Sequence, residues 1–262
     1  MSKTKKSLGQ HWLFDQPSLQ AIIDTAELQP TDTVLEIGPG RGPLTELLAE
    51  QARQVFAIEK DSNLIPGLRA MFALKDNVEI IEDDILKYNL TNLPQDYVVV
   101  ANIPYYLTSV LLRTLLESTN PPKQMVILMQ KEVAESIVAG PGQMSVLAVS
   151  VQLYAEPRVI SIVTRDKFHP PPKVDSAIIK ISRRPKTTID VEPDVFMRLV
   201  KAGFSQKRKT LRNSLAGGLH IKSIEAEALL AHAKIPESAR AQELNFEQWH
   251  SLYIVAQKHH LL

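Results

Sequence analysis

The chain has 262 residues, 44% of them hydrophobic and 23% charged, and its 30 Lys and Arg against 29 Asp and Glu leave a formal net charge of +1. That length can bury a sizeable core as one large domain or as one domain with a small appendage, and the balance is that of an ordinary globular protein. No run of about 18 uncharged apolar residues offers a membrane span. The opening "MSKTKKSLGQHW" lacks the apolar segment of a secretory signal. Zero cysteines exclude disulfides, a thiolate nucleophile and sulfur-built zinc sites. A cytoplasmic protein is expected.

From about residue 30 to 130, short Val- and Ile-rich runs alternate with amphipathic stretches. Strands are predicted at "TVLEIG" (33–38), "QVFAIE" (54–59), "NVEIIE" (77–82), "YVVVAN" (97–102) and "QMVILMQ" (124–130). Helices are predicted between them at 43–52, 62–73 and 109–118. This alternation argues for right-handed βαβ units and a mostly parallel sheet, and runs such as "VVVA" suit central strands covered on both faces. From 146 to 181 "SVLAVSVQLYA" and "KVDSAIIKIS" predict longer strands around "FHPPPK", an antiparallel edge. "RRPKTTIDVEPD" (183–194) reads as a linker, followed by helices at about 193–203, 208–216, 222–233 and 246–259. The expected division is therefore an α/β domain over 1–184 and a small all-helical domain over 185–262.

Charge is distributed unevenly along this plan. Residues 1–180 carry 17 Lys and Arg against 21 Asp and Glu, whereas 181–262 carry 13 against 8. An acidic body with a basic tail suggests a polyanionic partner for the tail. "KRKTLRN" sets Lys207, Arg208, Lys209 and Arg212 within six residues. The predicted helix there puts 208 and 212 on one face, a natural contact for phosphates. Lys3, Lys5 and Lys6 offer a second basic contact.

Where the first predicted strand turns into a helix, "VLEIGPGRG" supplies Glu36, Gly38, Gly40 and Gly42. Glycines there accept positive φ and let the backbone approach a ligand closely. The spacing is G-x-G-x-G, not the G-x-G-x-x-G of dinucleotide folds. Glu59, 21 residues after Gly38 and at the end of the second strand beside Lys60, suits hydrogen bonds to both ribose hydroxyls. Asp84, at the third strand end beside Ile85, suits an adenine amino group. Ligands of open α/β sheets bind at these carboxyl ends, so the set points to an adenosine-bearing ligand, NAD among the candidates. His169 has no companion at metal-ligand spacing, and no metal is expected.

"NIPYY" (102–106), after the fourth strand, holds an amide, a proline and two tyrosines but no acid, base or metal ligand. With the glycine turn and its acids it resembles the S-adenosylmethionine-dependent methyltransferases that act on planar nitrogens. Six stretches narrow the likeness: "KKSLGQHWLFD", "LEIGPGRGPLT", "NIPYY", "MQKEVAE", "FHPPPKVDSAI" and "FSQKRKTLRNSL". In this order, nearly end to end, they resemble the ribosomal RNA small-subunit adenine dimethyltransferases (the KsgA type). The last stretch favours these over the related large-subunit enzymes. One departure stands out: the family's usual Q-N-F-L reads Gln10-His11-Trp12-Leu13 here.

The resemblance implies a Rossmann-like class I methyltransferase domain with a mostly parallel seven-stranded sheet, a small C-terminal helical domain that binds RNA, and S-adenosylmethionine as cofactor. It implies cofactor contacts from His11, Leu13, Glu36, Gly38, Gly40, Glu59, Lys60, Asp84, Ile85 and Asn102, and RNA contacts from Lys207, Arg208, Lys209 and Arg212. The implied substrate is a pair of adjacent adenosines in a hairpin loop near the 3′ end of small-subunit (16S) ribosomal RNA, within an immature small subunit, with the enzyme a monomer. A large-subunit adenine methyltransferase and a non-catalytic assembly factor are the alternatives. Chemically, adenine N6 is flat because its lone pair is delocalised. Two acceptors for its protons, the Asn102 side-chain oxygen and the Ile103 carbonyl, would favour a pyramidal nitrogen. Pro104 restricts Ile103 to extended conformations. Leaving the RNA stack costs the base a few kcal/mol, and stacking on Tyr105 and Phe168, the latter held by Pro170–Pro172, returns about 1–3 kcal/mol per ring.

Overall fold

The computed structural model describes residues 11–206 and 208–262. Lys3, Lys5, Lys6, Gln10 and Lys207 lie outside the described residues. The chain forms two compact units: one through Ala134 together with Glu156–Arg183, the other from Glu135–Ala155 and Arg184–Leu262. Residues 135–155 thus cluster with the helical part, although the sequence reading assigned them to the α/β part.

The first unit runs β1 (Trp12–Leu13), α1 (Gln16–Ala26), β2 (Thr33–Ile37), α2 (Pro43–Gln51), β3 (Gln54–Glu59), α3 (Ile65–Met71), β4 (Val78–Glu82), β5 (Val98–Asn102), α4 (Thr108–Leu116) and β6 (Gln124–Gln130). The boundary falls within α5 (Lys131–Val138), and α6 (Val146–Tyr154) belongs to the second unit. β7 (Ala155–Val163), β8 (Phe168–His169) and β9 (Ser176–Arg183) follow, and the second unit ends with α7 (Pro193–Gly203), α8 (Leu211–Gly218), α9 (Ser223–His232) and α10 (Phe246–Lys258).

One seven-stranded sheet has the order β4-β3-β2-β5-β6-β9-β7. β4, β3, β2, β5 and β6 are parallel neighbours, and β9 runs antiparallel to β6, with Gln130 opposite Ser176. The mostly parallel, Rossmann-like sheet expected from the strand–helix alternation is present. The order reverses at β2, whose neighbours are β3 on one side and β5 on the other. Ligands of such sheets bind above that switch point.

Local chemistry sets several of these elements. Asp15 caps α1, accepting from the Ser18 N–H at 3.1 Å, and Pro17 stands in its first turn, where no intrahelical donor is needed. The helix then buries Leu19, Ile22, Ile23 and Ala26 with Val34, Val98 and Val126 of the sheet. No helix among the described residues is long and apolar enough to cross a membrane.

The segment "SVLAVSVQLYA", predicted as a strand, is the helix α6. Ser145 is extended, and its hydroxyl accepts from the Ala148 N–H at 3.1 Å, a helix cap. Ala148, Val149, Val151 and Leu153 are buried, and apolar residues around most of the circumference hide the helical period. β-branched residues favour strands only weakly, and burial overrides that preference. The strand lies just beyond, in "AEPRVISIV", at the edge of the sheet with Ile160 and Ile162 exposed.

Candidate active site

Between β2 and α2 the chain turns through Gly38, Gly40 and Gly42, with φ of 68°, 61° and 85°. The Gly38 N–H donates to the Ile58 carbonyl at 2.9 Å, tying the turn to the end of β3. A Cβ at Gly38 would meet no protein atom within 4 Å, whereas one at Gly40 would come within 3.3 Å of the Trp12 indole. An L side chain at such φ is also strained, by roughly 1–2 kcal/mol. Trp12 lies under the Arg41 guanidinium, 4.0 Å from its ring centroid. Sequence reasoning missed both residues. The available signal was that Trp12 stands between His11 and Leu13, and that Arg41 sits inside the glycine turn.

The turn floors a solvent-open cleft whose empty space, mouth included, is about 1050 Å³. His11, Leu13, Glu36, Gly38, Gly40, Glu59, Lys60, Asp84, Ile85 and Asn102 all line it, as do Ile103, Pro104 and Tyr105. Glu36 is 1% exposed, and burial pushes its carboxyl up to about 8, against the pull of the Thr45 hydroxyl and with the Glu59 charge adding. Neither Glu36 Oε2 nor Thr45 Oγ1 closes a hydrogen bond among the described residues. Burial also raises the Glu59 carboxyl, although its Oε1 accepts from the Asp61 N–H at 2.7 Å and its Oε2 from the Gly40 N–H at 3.2 Å. Asp84 sits below the ordinary carboxylate range because Lys60 Nζ donates to it at 2.8 Å. A glycine floor with free space before it, an orphaned buried carboxyl oxygen and acids at successive strand ends fit a ligand carrying ribose hydroxyls and an adenine amine.

At the other end, Asn102 closes β5. Its Nδ2 donates to the His11 carbonyl at 3.3 Å, and its Oδ1 accepts no hydrogen bond among the described residues. Pro104, at φ −58° and ψ 131°, leads into a single 3-10 turn, Tyr105–Leu107, and then α4. The Tyr105 ring lies nearly parallel to the His11 imidazole, with 5.8 Å between centroids and 23° between planes. Its hydroxyl shares a 2.8 Å hydrogen bond with Ser176 Oγ, and burial raises the phenol. Tyr106 is 57% exposed at the cleft mouth.

Phe168, expected as the second stacking face, is 4% exposed and does not line the cleft. It faces Leu13 across the two-residue ladder of β1 and β8, and directly opposite residues share a side of a ladder. Both pack with Leu19 and Val163 in the core.

The basic cluster of the second unit also differs from expectation. α8 begins at Leu211, after a turn closed by the Lys209 N–H to the Gln206 carbonyl at 3.0 Å. Arg208 and Lys209 are exposed on that turn and share no helix face with Arg212. Arg212 instead faces Glu227 at 3.5 Å and Glu237 at 3.7 Å, so two carboxylates already partner its charge.

Comparison with known proteins agrees with this geometry. The family described as Ribosomal RNA adenine dimethylase matches residues 1–258. A curated protein of Dehalococcoides mccartyi (strain CBDB1), named Ribosomal RNA small subunit methyltransferase A, is 47% identical over 255 residues, covering 95% of this chain and 87% of its own. The crystal structure of a dimethyladenosine transferase from Plasmodium falciparum superposes with TM-score 0.83 at 29% identity, covering 95% of this chain and 98% of that one. The crystal structure of the 23S rRNA methyltransferase ErmE gives TM-score 0.74 at 30% identity over 94% of this chain and 99% of its own.

Proposed function

The chain belongs to the ribosomal RNA adenine dimethylase family, and from that premise we propose that it uses S-adenosylmethionine to dimethylate N6 of two adjacent adenosines in a hairpin loop near the 3′ end of small-subunit ribosomal RNA, during assembly of that subunit. The observation that carries the reading is Asn102, a residue lining the cleft whose Nδ2 is engaged while its Oδ1 accepts no hydrogen bond among the described residues.

S-adenosylmethionine, when bound, supplies a methyl group already activated on a sulfonium. The protein's own task is to hold and orient. The turn at Gly38 and Gly40 lets the backbone approach the ligand, Glu59 accepts from ribose hydroxyls, and Asp84 accepts from the adenine amine beside Ile85. The orphaned Glu36 carboxyl, kept protonated by its burial, offers the wall a hydrogen-bonding group without a charge. On the acceptor side, Asn102 Oδ1 and the Ile103 carbonyl accept the two N6 protons, with Pro104 aiming that carbonyl. With Phe168 packed in the core, Tyr105 is the stacking platform. No general base is required, because transfer depends on orientation and on preorganised acceptors.

Arg208 and Lys209 contact RNA phosphates with salt-sensitive affinity. Arg212 contributes less, because Glu227 and Glu237 already hold it. The enzyme works as a monomer on the immature subunit in the cytoplasm.

The similarity to ErmE makes a large-subunit adenine the second reading. The protein, incubated with methyl-labelled cofactor and either small or large subunits that lack the modification, should label a pair of adenosines in small-subunit RNA only. Label on a large-subunit adenine would overturn the substrate, and label on neither would favour a non-catalytic assembly factor.

A further inference from the structure

His11 makes three contacts at the acceptor end of the cleft. Its Nδ1 lies 2.8 Å from the Pro170 carbonyl, its ring lies against Tyr105, and its main-chain carbonyl accepts from Asn102 Nδ2. A proline carbonyl can only accept, so Nδ1 carries a proton. The partners come from three separate segments: the β5 end, the turn after it, and the loop that follows β8. The β1–β8 ladder, pairing Trp12 with His169, holds the two backbones on either side of the imidazole bond.

Asn102 has one amide to orient, and which end faces the acceptor amine decides whether it accepts or donates there. The His11 carbonyl takes the NH₂ end and leaves Oδ1 as the end without a partner among the described residues. The ladder holds the backbone beside that carbonyl, and the side-chain bond to Pro170 is a second tether on the same residue. We propose that His11 is a positioning residue for methyl transfer: through the Nδ1 bond to Pro170 it fixes the amide orientation of Asn102 and the plane of Tyr105. This role differs from the cofactor contact that the sequence resemblance implies for position 11. It rests on the proposed adenine N6-methyltransferase activity.

The two imidazole nitrogens can be imitated separately. Asn at position 11 places an N–H near Nδ1, and Gln places one near Nε2. Kinetics are to be measured on unmodified small subunits and cofactor affinity by calorimetry, for wild type, His11→Asn, His11→Gln and His11→Ala. His11→Asn should keep kcat within about threefold, whereas His11→Gln and His11→Ala should lose about 10–100-fold, the scale of an acceptor site misplaced by about 1 Å. The cofactor Kd should stay within about threefold throughout. In wild type, nitrogen NMR of the imidazole should show the proton on Nδ1.

Rescue by Gln instead of Asn, loss in Asn equal to that in Ala, a Kd that rises in step with the fall in kcat, or a proton on Nε2 with Nδ1 bare would each overturn the inference. The NMR result holds even if a variant fails to fold. A wild-type enzyme that labels neither subunit would instead count against the underlying activity, which separates the two failures.

Discussion

At the Gly38 end of the cleft most constraints come from the main chain and span short stretches of sequence, 19 positions between Gly40 and Glu59 and 24 between Lys60 and Asp84. Three glycines take positive φ, and Glu59 is held by the N–H groups of Asp61 and Gly40. At the Asn102 end the constraints are side chains brought together from afar. Asn102 reaches His11 across 91 positions, His11 reaches Pro170 across 159, and Tyr105 reaches Ser176 across 71. The first end forms with its own strand–turn–helix units, while the second exists only once the whole sheet and the β1–β8 ladder have closed. A cofactor floor built locally and an acceptor wall built globally should therefore fail in different ways.

The sharpest test of that contrast is Asn102→Ala. Removing a preorganised acceptor should lower turnover by on the order of 10²–10³, read in single-turnover methylation, while melting temperature and cofactor affinity change little. A large loss of fold stability would instead make Asn102 part of the scaffold.

Glu36→Gln probes the other end. The buried Glu36 carboxyl titrates at about 8, above its unfolded value, so the folded state holds a proton that the unfolded chain has lost. Its contribution to stability is full below the unfolded pKa and disappears as pH rises through about 8. Over that window wild type should lose up to about 1.4 kcal/mol per pH unit relative to Glu36→Gln, seen in urea unfolding at a series of pH values. Parallel curves for the two proteins would remove the assignment.

Gly40→Ala should cost about 1–2 kcal/mol from the left-handed backbone and also displace Trp12, so stability and cofactor affinity fall together. If calorimetry found affinity intact at a reduced melting temperature, the turn would be structural only. Ser176→Ala is expected to have the smallest effect. Loss of the Tyr105 hydrogen bond is worth about 0.5–1.5 kcal/mol, which should appear as roughly a two- to tenfold fall in turnover with the cofactor Kd unchanged. A change in Kd would blur the boundary between the two ends.

The same contrast accounts for what was legible beforehand. The five parallel strands could be read to within a residue or two because each is a short apolar run between polar turns. The glycine turn and its acids could be read because their spacing is local. Phe168 looked like a stacking ring because nothing in "FHPPP" reveals that its ladder partner is Leu13. Arg212 looked available because Glu227 and Glu237, which occupy it, lie 15 and 25 residues further on. α6 was misread because a helix with apolar residues around most of its circumference carries little period to detect. Of the acceptor end, the residue types were visible in "NIPYY", but the part played by position 11 was not.

The placement of α6 bears on how the protein can be divided. The chain enters the helical unit twice, at 135–155 and again from Arg184, so three peptide connections join the units instead of one. A cut at residue 184 would remove α7 to α10 yet leave α6 behind. Ala148, Val149 and Leu153 would lose the core they share with Phe196, Leu199 and Trp249. Such a fragment would expose a sticky apolar helix, binding hydrophobic dyes and self-associating where the intact chain does not. A separable catalytic unit would need a short polar bridge replacing 135–155 as well, and only that double excision should yield a soluble α/β fragment still able to bind cofactor.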